Sequence, residues 1–390
     1  MRKIRKINYG GMLLGKEEKA AIKKAIDKNY WPSGEEVLAM EKEAAQYLGI
    51  KYGVLANSGS SAGLLALTAL ELPKGSEVII PATTFPTIFN IILQCGLVPV
   101  VVDCKPGTYT VDIDKLETAI SSKTKAVICV HAVGNACDMP RIMKIANRHK
   151  LIVIEDNCDG WGGAIGKKKL GTFGHVSFTS FHAAHIVSMG QGGGVFTNNK
   201  ELARKVKMYR DWGRQSNLTK RINNRSWPTL PKDYDARFIY EKIGYNLGPL
   251  DPQAAMGRVQ LKRTEKIKAL RKKNFDYLYK HLSQFPDLLM PEWVQDSNPS
   301  WFSFPLSYKN RGALVDHLEK NGIETRSMFS GDITKHPAYR NTTYRRGSDL
   351  KGCQKILKES FWISVHPRLT QDDREYIIDV FHDFFKTKTS

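Results

Sequence analysis

Acidic residues are scarce in this 390-residue chain: 39 Asp and Glu stand against 59 Lys and Arg, a formal charge of +20. Such a deficit raises nucleic-acid binding as a hypothesis. The basic residues are dispersed, however. Many sit beside acids, as in 16–28, and the densest clusters are only 167–169 and 271–273. That spread fits a bias toward small anionic molecules better than a nucleic-acid surface, so no nucleic-acid partner is expected. Cysteine is sparse too. Cys95, Cys104, Cys129, Cys137, Cys158 and Cys353 are the only ones, with no pair at a zinc or thioredoxin spacing. Reduced structural thiols and no metal site are expected. The longest apolar runs, such as 98–102 and 126–130, fall far short of the roughly 20 residues that cross a bilayer. Positions 1–8 are basic but lack the apolar stretch and cleavage site of a secretory leader. A cytoplasmic protein with no membrane partner is therefore expected. Internal repeats and low-complexity tracts are missing as well.

What remains is an ordinary globular composition, 42% hydrophobic and 25% charged. From residue 52 onward, short apolar runs alternate with segments of helical period, the pattern of crossover units in a mostly parallel sheet. Strands are predicted at 53–56, 77–80, 99–103, 126–131, 151–155, 175–179 and 194–197, with helices at 61–70, 86–95, 113–120 and 138–149. The predicted class is α/β: a large domain over 1–250 with a central sheet flanked by helices, and a smaller α+β domain over 251–390. The second domain begins with 251–282, read as one long charged helix. The polar, aperiodic stretch 215–240 reads as a surface loop or lid.

Three segments carry chemistry. Asn57-Ser58-Gly59-Ser60-Ser61-Ala62 follows a strand and opens a helix, where glycine allows close approach and free N–H groups suit a phosphate. A plain N-cap uses the same residues. Glu155, Asp156 and Asp159 stand at the end of a strand predicted at the sheet centre. Carboxylates there project into the crevice at the strand ends and need a cation or a metal, although a plain helix cap would use the same residues. Asp156 suits a protonated pyridine nitrogen, and no histidine stands at a spacing that favours a metal. Ser180-Phe181-His182-Ala183-Ala184-His185 leads into the glycine run 190–194; spacing alone assigns it no role.

Taken in order, these segments resemble the DegT-type sugar-nucleotide aminotransferase family. The resemblance spans nearly the whole chain and includes Trp31-Pro32-Ser33-Gly34-Glu35, 57–62, 81–86, 155–159, 180–193, Gly244-Tyr245-Asn246-Leu247 and Asp251-Pro252-Gln253-Ala254-Ala255. It implies the aspartate aminotransferase fold, the type I fold of pyridoxal phosphate (PLP) enzymes. By the same resemblance, Gly59, Ser60, Ser61 and Ser180 hold the cofactor phosphate and Phe85 stacks on its ring. Asp156 pairs with the ring nitrogen, and Asp159 lies near the phenolic oxygen. Asn246 reaches the phosphate of a neighbouring subunit, which implies a homodimer with shared active sites.

One departure is informative. Five residues after Ser180 the aminotransferases carry the lysine that bonds covalently to the cofactor; here that position is His185, and no lysine occurs between Lys169 and Lys200. Imidazole cannot make that bond, so a noncovalent cofactor is expected, most naturally pyridoxamine phosphate, with His185 as the group that moves protons. The substitution resembles the 4-keto-6-deoxyhexose 3-dehydratase branch, as do Arg210-Asp211-Trp212-Gly213-Arg214, Ser300-Trp301-Phe302 and Thr325-Arg326. Within that branch the CDP-linked type adds a cysteine cluster for an iron-sulfur centre, whereas the GDP-linked type regenerates its cofactor with L-glutamate. No cysteine lies between Cys158 and Cys353, so 215–240 supplies no thiolates and glutamate is the expected amino donor. The nucleotide of the sugar substrate stays open, because the surroundings of His185 and Trp301 also look like the CDP-linked type. Gln191 replaces a glutamate and His182 an aromatic. Arg326 and Arg237 are candidates to grip the diphosphate. The competing readings are a sugar-nucleotide aminotransferase without an anchoring lysine and a noncatalytic member of the family.

Overall fold

A computed structural model describes residues 4–29, 31–215 and 221–386. Seven predicted strands form as β1 Tyr52–Ala56, β2 Glu77–Pro81, β3 Val98–Val102, β4 Thr124–Val130, β5 Ile152–Asp156, β6 Val176–Ser180 and β7 Gly193–Thr197. They lie in one sheet in the order β1-β7-β6-β5-β4-β2-β3, which Arg345–Arg346 extends beyond β3. β2 to β6 run parallel, while β7 is antiparallel to both β1 and β6. Parallel strands covered on both faces read as continuous apolar runs, and β2, β3 and β4 are buried along nearly their whole length.

The helices are α1 Lys16–Ile26, α2 Glu35–Leu48, α3 Gly59–Ala69, α4 Pro86–Gln94, α5 Ile113–Leu116, α6 Met139–Arg148 and α7 Lys200–Arg210. Their starts follow local rules: Ser58 caps α3 by accepting the Ser61 N–H, Asp138 caps α6, and Pro86 opens α4 where no N–H is needed. Because β4 and β5 are adjacent and parallel, their carboxyl ends bring His131 and Asp156 to one edge of the sheet.

The segment 251–282 is two helices rather than one: α8 Asp251–Lys262 and α9 Thr264–Leu282. Arg263 between them has φ −100° and ψ 2°. Its guanidinium bonds Glu17 and Glu18 of α1 at 2.7 and 2.5 Å, and the Thr264 hydroxyl bonds back to the Leu261 carbonyl, a contact that bends helices. Periodicity carries straight across this break because both helices are charged outside and apolar inside. Beyond it, Phe275, Leu278 and Leu282 of α9 share a core with Ser303–Tyr308, Ser360–Ser364 and the helices Arg311–Lys320 and Gln371–Lys386. Ile7 joins that core, bridged to Ile323.

Of the predicted loop 215–240, positions 216–220 lie outside the described residues. The rest has only the short turn Ala236–Phe238 and isolated bridges. No helix among the described residues is long and apolar enough to cross a membrane.

Candidate active site

A cavity of about 770 Å³ opens at the carboxyl ends of β4 and β5, where ligands of such sheets bind. Gly59, Ser60, Phe85, Asp156, Asp159, Ser180 and His185 all line it. Ser61 and Asn246 do not: Ser61 bonds the Ser58 hydroxyl at 2.9 Å, and Asn246 forms a bridge with Asp211.

At one end, the first turn of α3 meets Ser180. A Cβ on Gly59 would fall 2.6 Å from Ser180 Cβ, and one on Gly193 would fall 2.3 Å from the Ser58 carbonyl oxygen. Only glycine permits this approach. The result is a cup of hydroxyls and helix N–H groups, with Ser60 Oγ 2.7 Å from Thr87 Oγ1. Such a cup matches a phosphate dianion in shape and charge.

Asp156 sits at the cavity's inner wall, 6% exposed, and its Oδ1 accepts the Cys158 N–H at 3.0 Å. Burial raises its pKa, so a cation placed against it would relieve the cost of ionising it. Behind it, fully buried Glu155 accepts three backbone N–H bonds from Gly171, Phe173 and Gly174 and pairs with His131 Nε2 at 3.0 Å. His131 Nδ1 accepts the Cys137 N–H, so Nε2 carries the proton. Phe85, 57% exposed, presents a free ring at the cavity.

His185 Nδ1 lies 3.4 Å from Asp159 Oδ1 and is buried without a hydrogen-bond partner. Asp159 Oδ2 accepts the Val133 N–H at 3.0 Å. Burial, then the neighbouring Asp156 charge, pushes Asp159 up to about 7. Burial first, then His182 and Arg271, pushes His185 down to about 3. The imidazole is therefore neutral at physiological pH. No lysine is found among the described residues that line the cavity.

The facing wall comes from the distant parts of the chain. Tyr9, Arg326, His336 and Trp362 line it, with the Arg326 guanidinium 4.0 Å from the centre of the Tyr9 ring. Arg237 instead pairs with Asp235 at 2.6 Å on the surface loop. Sequence reasoning missed Tyr9, His131 and Trp362. His131 was within reach, since it directly follows β4 as Asp156 ends the adjacent β5; Tyr9 and Trp362 offer no local signal.

The model of the DegT/DnrJ/EryC1/StrS aminotransferase family matches residues 13–382. The chain belongs to this family. Among its relatives there, lipopolysaccharide biosynthesis protein RfbH of Salmonella typhimurium is 37% identical, covering 96% of this chain and 91% of that protein. The dTDP-4-dehydro-2,6-dideoxy-D-glucose 3-dehydratase of Saccharopolyspora spinosa is 35% identical, covering 97% and 86%. A crystal structure of GDP-4-keto-6-deoxymannose-3-dehydratase with a trapped PLP–glutamate geminal diamine superposes with a TM-score of 0.89 at 28% identity, over 96% of this chain and 99% of that one. The fold expected from the sequence, that of PLP-dependent transferases of type I, is the one observed.

Proposed function

We propose that this family member removes the C3 hydroxyl of an NDP-4-keto-6-deoxyhexose, using pyridoxamine phosphate held without a covalent bond and restored by glutamate. The observation that carries the reading is the imidazole of His185, in place of a primary amine, in a cavity that also presents Asp156 and a phosphate-shaped cup. Relatives named as 3-dehydratases on dTDP- and GDP-linked sugars, one of them trapped with PLP and glutamate, support it.

In this reading Gly59, Ser60 and Ser180 bind the phosphate, Phe85 covers the ring, and Asp156 stays ionised against the ring nitrogen, with Asp159 beside the phenolic oxygen. The coenzyme supplies an amine for the C4 ketone and a cationic ring that accepts electrons. His185, neutral at pH 7, takes a proton on Nε2 and returns it to the departing C3 oxygen, while Asp159 faces Nδ1 and orients the ring. Tyr9, Phe302 and Trp362 exclude water from that exchange. Asn246 lies outside this chain's own cavity, and a homodimer would carry it to the partner's phosphate site. The cysteine-free interval between Cys158 and Cys353 makes glutamate, rather than an iron-sulfur centre, the source of renewal.

The test is product mass. Purified protein with pyridoxamine phosphate, glutamate and GDP-, CDP- or dTDP-linked 4-keto-6-deoxysugars should yield a 3-deoxy-4-keto product. His185→Asn should lower that turnover about a hundredfold to ten-thousandfold while still binding the coenzyme. A product that keeps its C3 oxygen and gains nitrogen would instead identify an aminotransferase.

A further inference from the structure

Arg271 of α9 is 3% exposed, and its place in the fold is unusual for an arginine. Its Nη1 donates to the Phe302 carbonyl at 2.6 Å and its Nη2 to the Ala184 carbonyl at 3.1 Å, while Nε has no hydrogen-bond partner. Ala184 precedes His185 in the chain. Phe302 packs its ring against the His185 imidazole, with centres 5.3 Å apart and planes at 39°. One guanidinium thus ties together the backbone that carries the imidazole and the aromatic that backs it.

We propose that Arg271 is a positioning residue for His185, its planar fork fixing the loop at Ala184 and the ring of Phe302 so that the imidazole is aimed into the cavity. The inference rests on His185 as the proton-handling group. Arg271 also places a fixed positive charge behind the site. Asp159 and His182 face the imidazole directly, Asp156 and His131 lie along the inner wall, and Arg326 and His336 lie across the cavity. His366 also feels Arg271, whose charge opposes its protonation as it opposes that of His185. Lysine would preserve the charge but not the two-point grip.

The first arm of the test reads His185 itself, without coenzyme; the second reads turnover of the loaded enzyme. Acylation of the full chain by diethyl pyrocarbonate, followed site by site with mass spectrometry across pH, reports the fraction of neutral imidazole. In the unaltered chain the midpoint for His185 should lie well below the usual value of about 6.5. Arg271→Met should raise it, since that charge opposes protonation of the imidazole. Arg271→Lys should leave it within about half a unit yet lower kcat about tenfold with KM for the sugar nucleotide unchanged. An Arg271→Met curve that overlays the unaltered one, or an Arg271→Lys enzyme with undiminished kcat, overturns the proposal. If Arg271→Met fails to fold, the lysine variant alone decides. Dehydration that survives in His185→Asn would sink the reading of the function, while the acylation midpoints would still judge Arg271.

Discussion

The burial of Asp159 and His185 makes a prediction about stability that needs no substrate. Folding pushes the Asp159 carboxyl up to about 7 and the His185 imidazole down to about 3, from ordinary values of 3.8 and 6.5. A raised carboxyl binds its proton more tightly in the folded chain, so its contribution to stability shrinks as pH climbs from the lower value to the higher. A depressed imidazole does the reverse: the unfolded chain holds the extra proton, and stability grows as pH climbs. Over the interval from about pH 5 to about pH 7 each effect amounts to about 2 kcal/mol, with opposite sign. In the unaltered protein they largely cancel. Urea unfolding of the coenzyme-free chain at both pH values should expose them separately. Asp159→Asn should gain about 2 kcal/mol on the unaltered protein between the two conditions, and His185→Asn should lose about the same. Both variants moving in the same direction, or neither moving, would refute the account of these two groups as titrating out of range because they are buried.

Three further outcomes follow from the same cavity. His185→Lys should create a covalent bond to the coenzyme that borohydride fixes, with a shifted absorption band, and should divert the product toward an amino sugar; absence of that adduct would show that position 185 does not reach the coenzyme. Gly59→Ala, whose added carbon would stand 2.6 Å from Ser180 Cβ, should spread the phosphate cup at a cost of about 1–3 kcal/mol and weaken pyridoxamine phosphate binding about tenfold or more in a fluorescence titration. Asp156→Asn should weaken the same binding about tenfold or more, as expected for losing a hydrogen bond to a charged group; an unchanged Kd would remove Asp156 from the ring nitrogen.

Much of the frame was legible because burial writes itself into the chain. Apolar runs such as Val98–Val102 mark strands covered on both faces, and Ser58 or Asp138 mark helix starts by rules that act within one turn. The break at Arg263 was not legible, since two of the groups that hold it, Glu17 and Glu18, lie far back in the sequence. Arg271 was hidden for a related reason. In a helix as charged as α9 an arginine reads as part of a solvated face, and only the packing of the Ala184 and Phe302 carbonyls around it shows otherwise. The cup and the inner wall, by contrast, arise from strand ends and helix starts, which mark Gly59 and Asp156 directly; Asp159, Ser180 and His185 came through the family resemblance, and all five line the cavity. Ser61 and Asn246 came with them by resemblance but stand outside the lining.

The cavity's two walls also fix when it can come into being. Tyr9, near the start of the chain, meets Trp362, near its end, with ring centres 5.9 Å apart, and both border the cavity. In order of synthesis, the residues of the cup and Asp156 come long before Arg326, His336 and Trp362 of the opposite wall. The coenzyme therefore cannot be enclosed during synthesis. Adding it should rescue folding only of finished chains, and a truncation that removes the last strand should lose the pocket while keeping the central sheet.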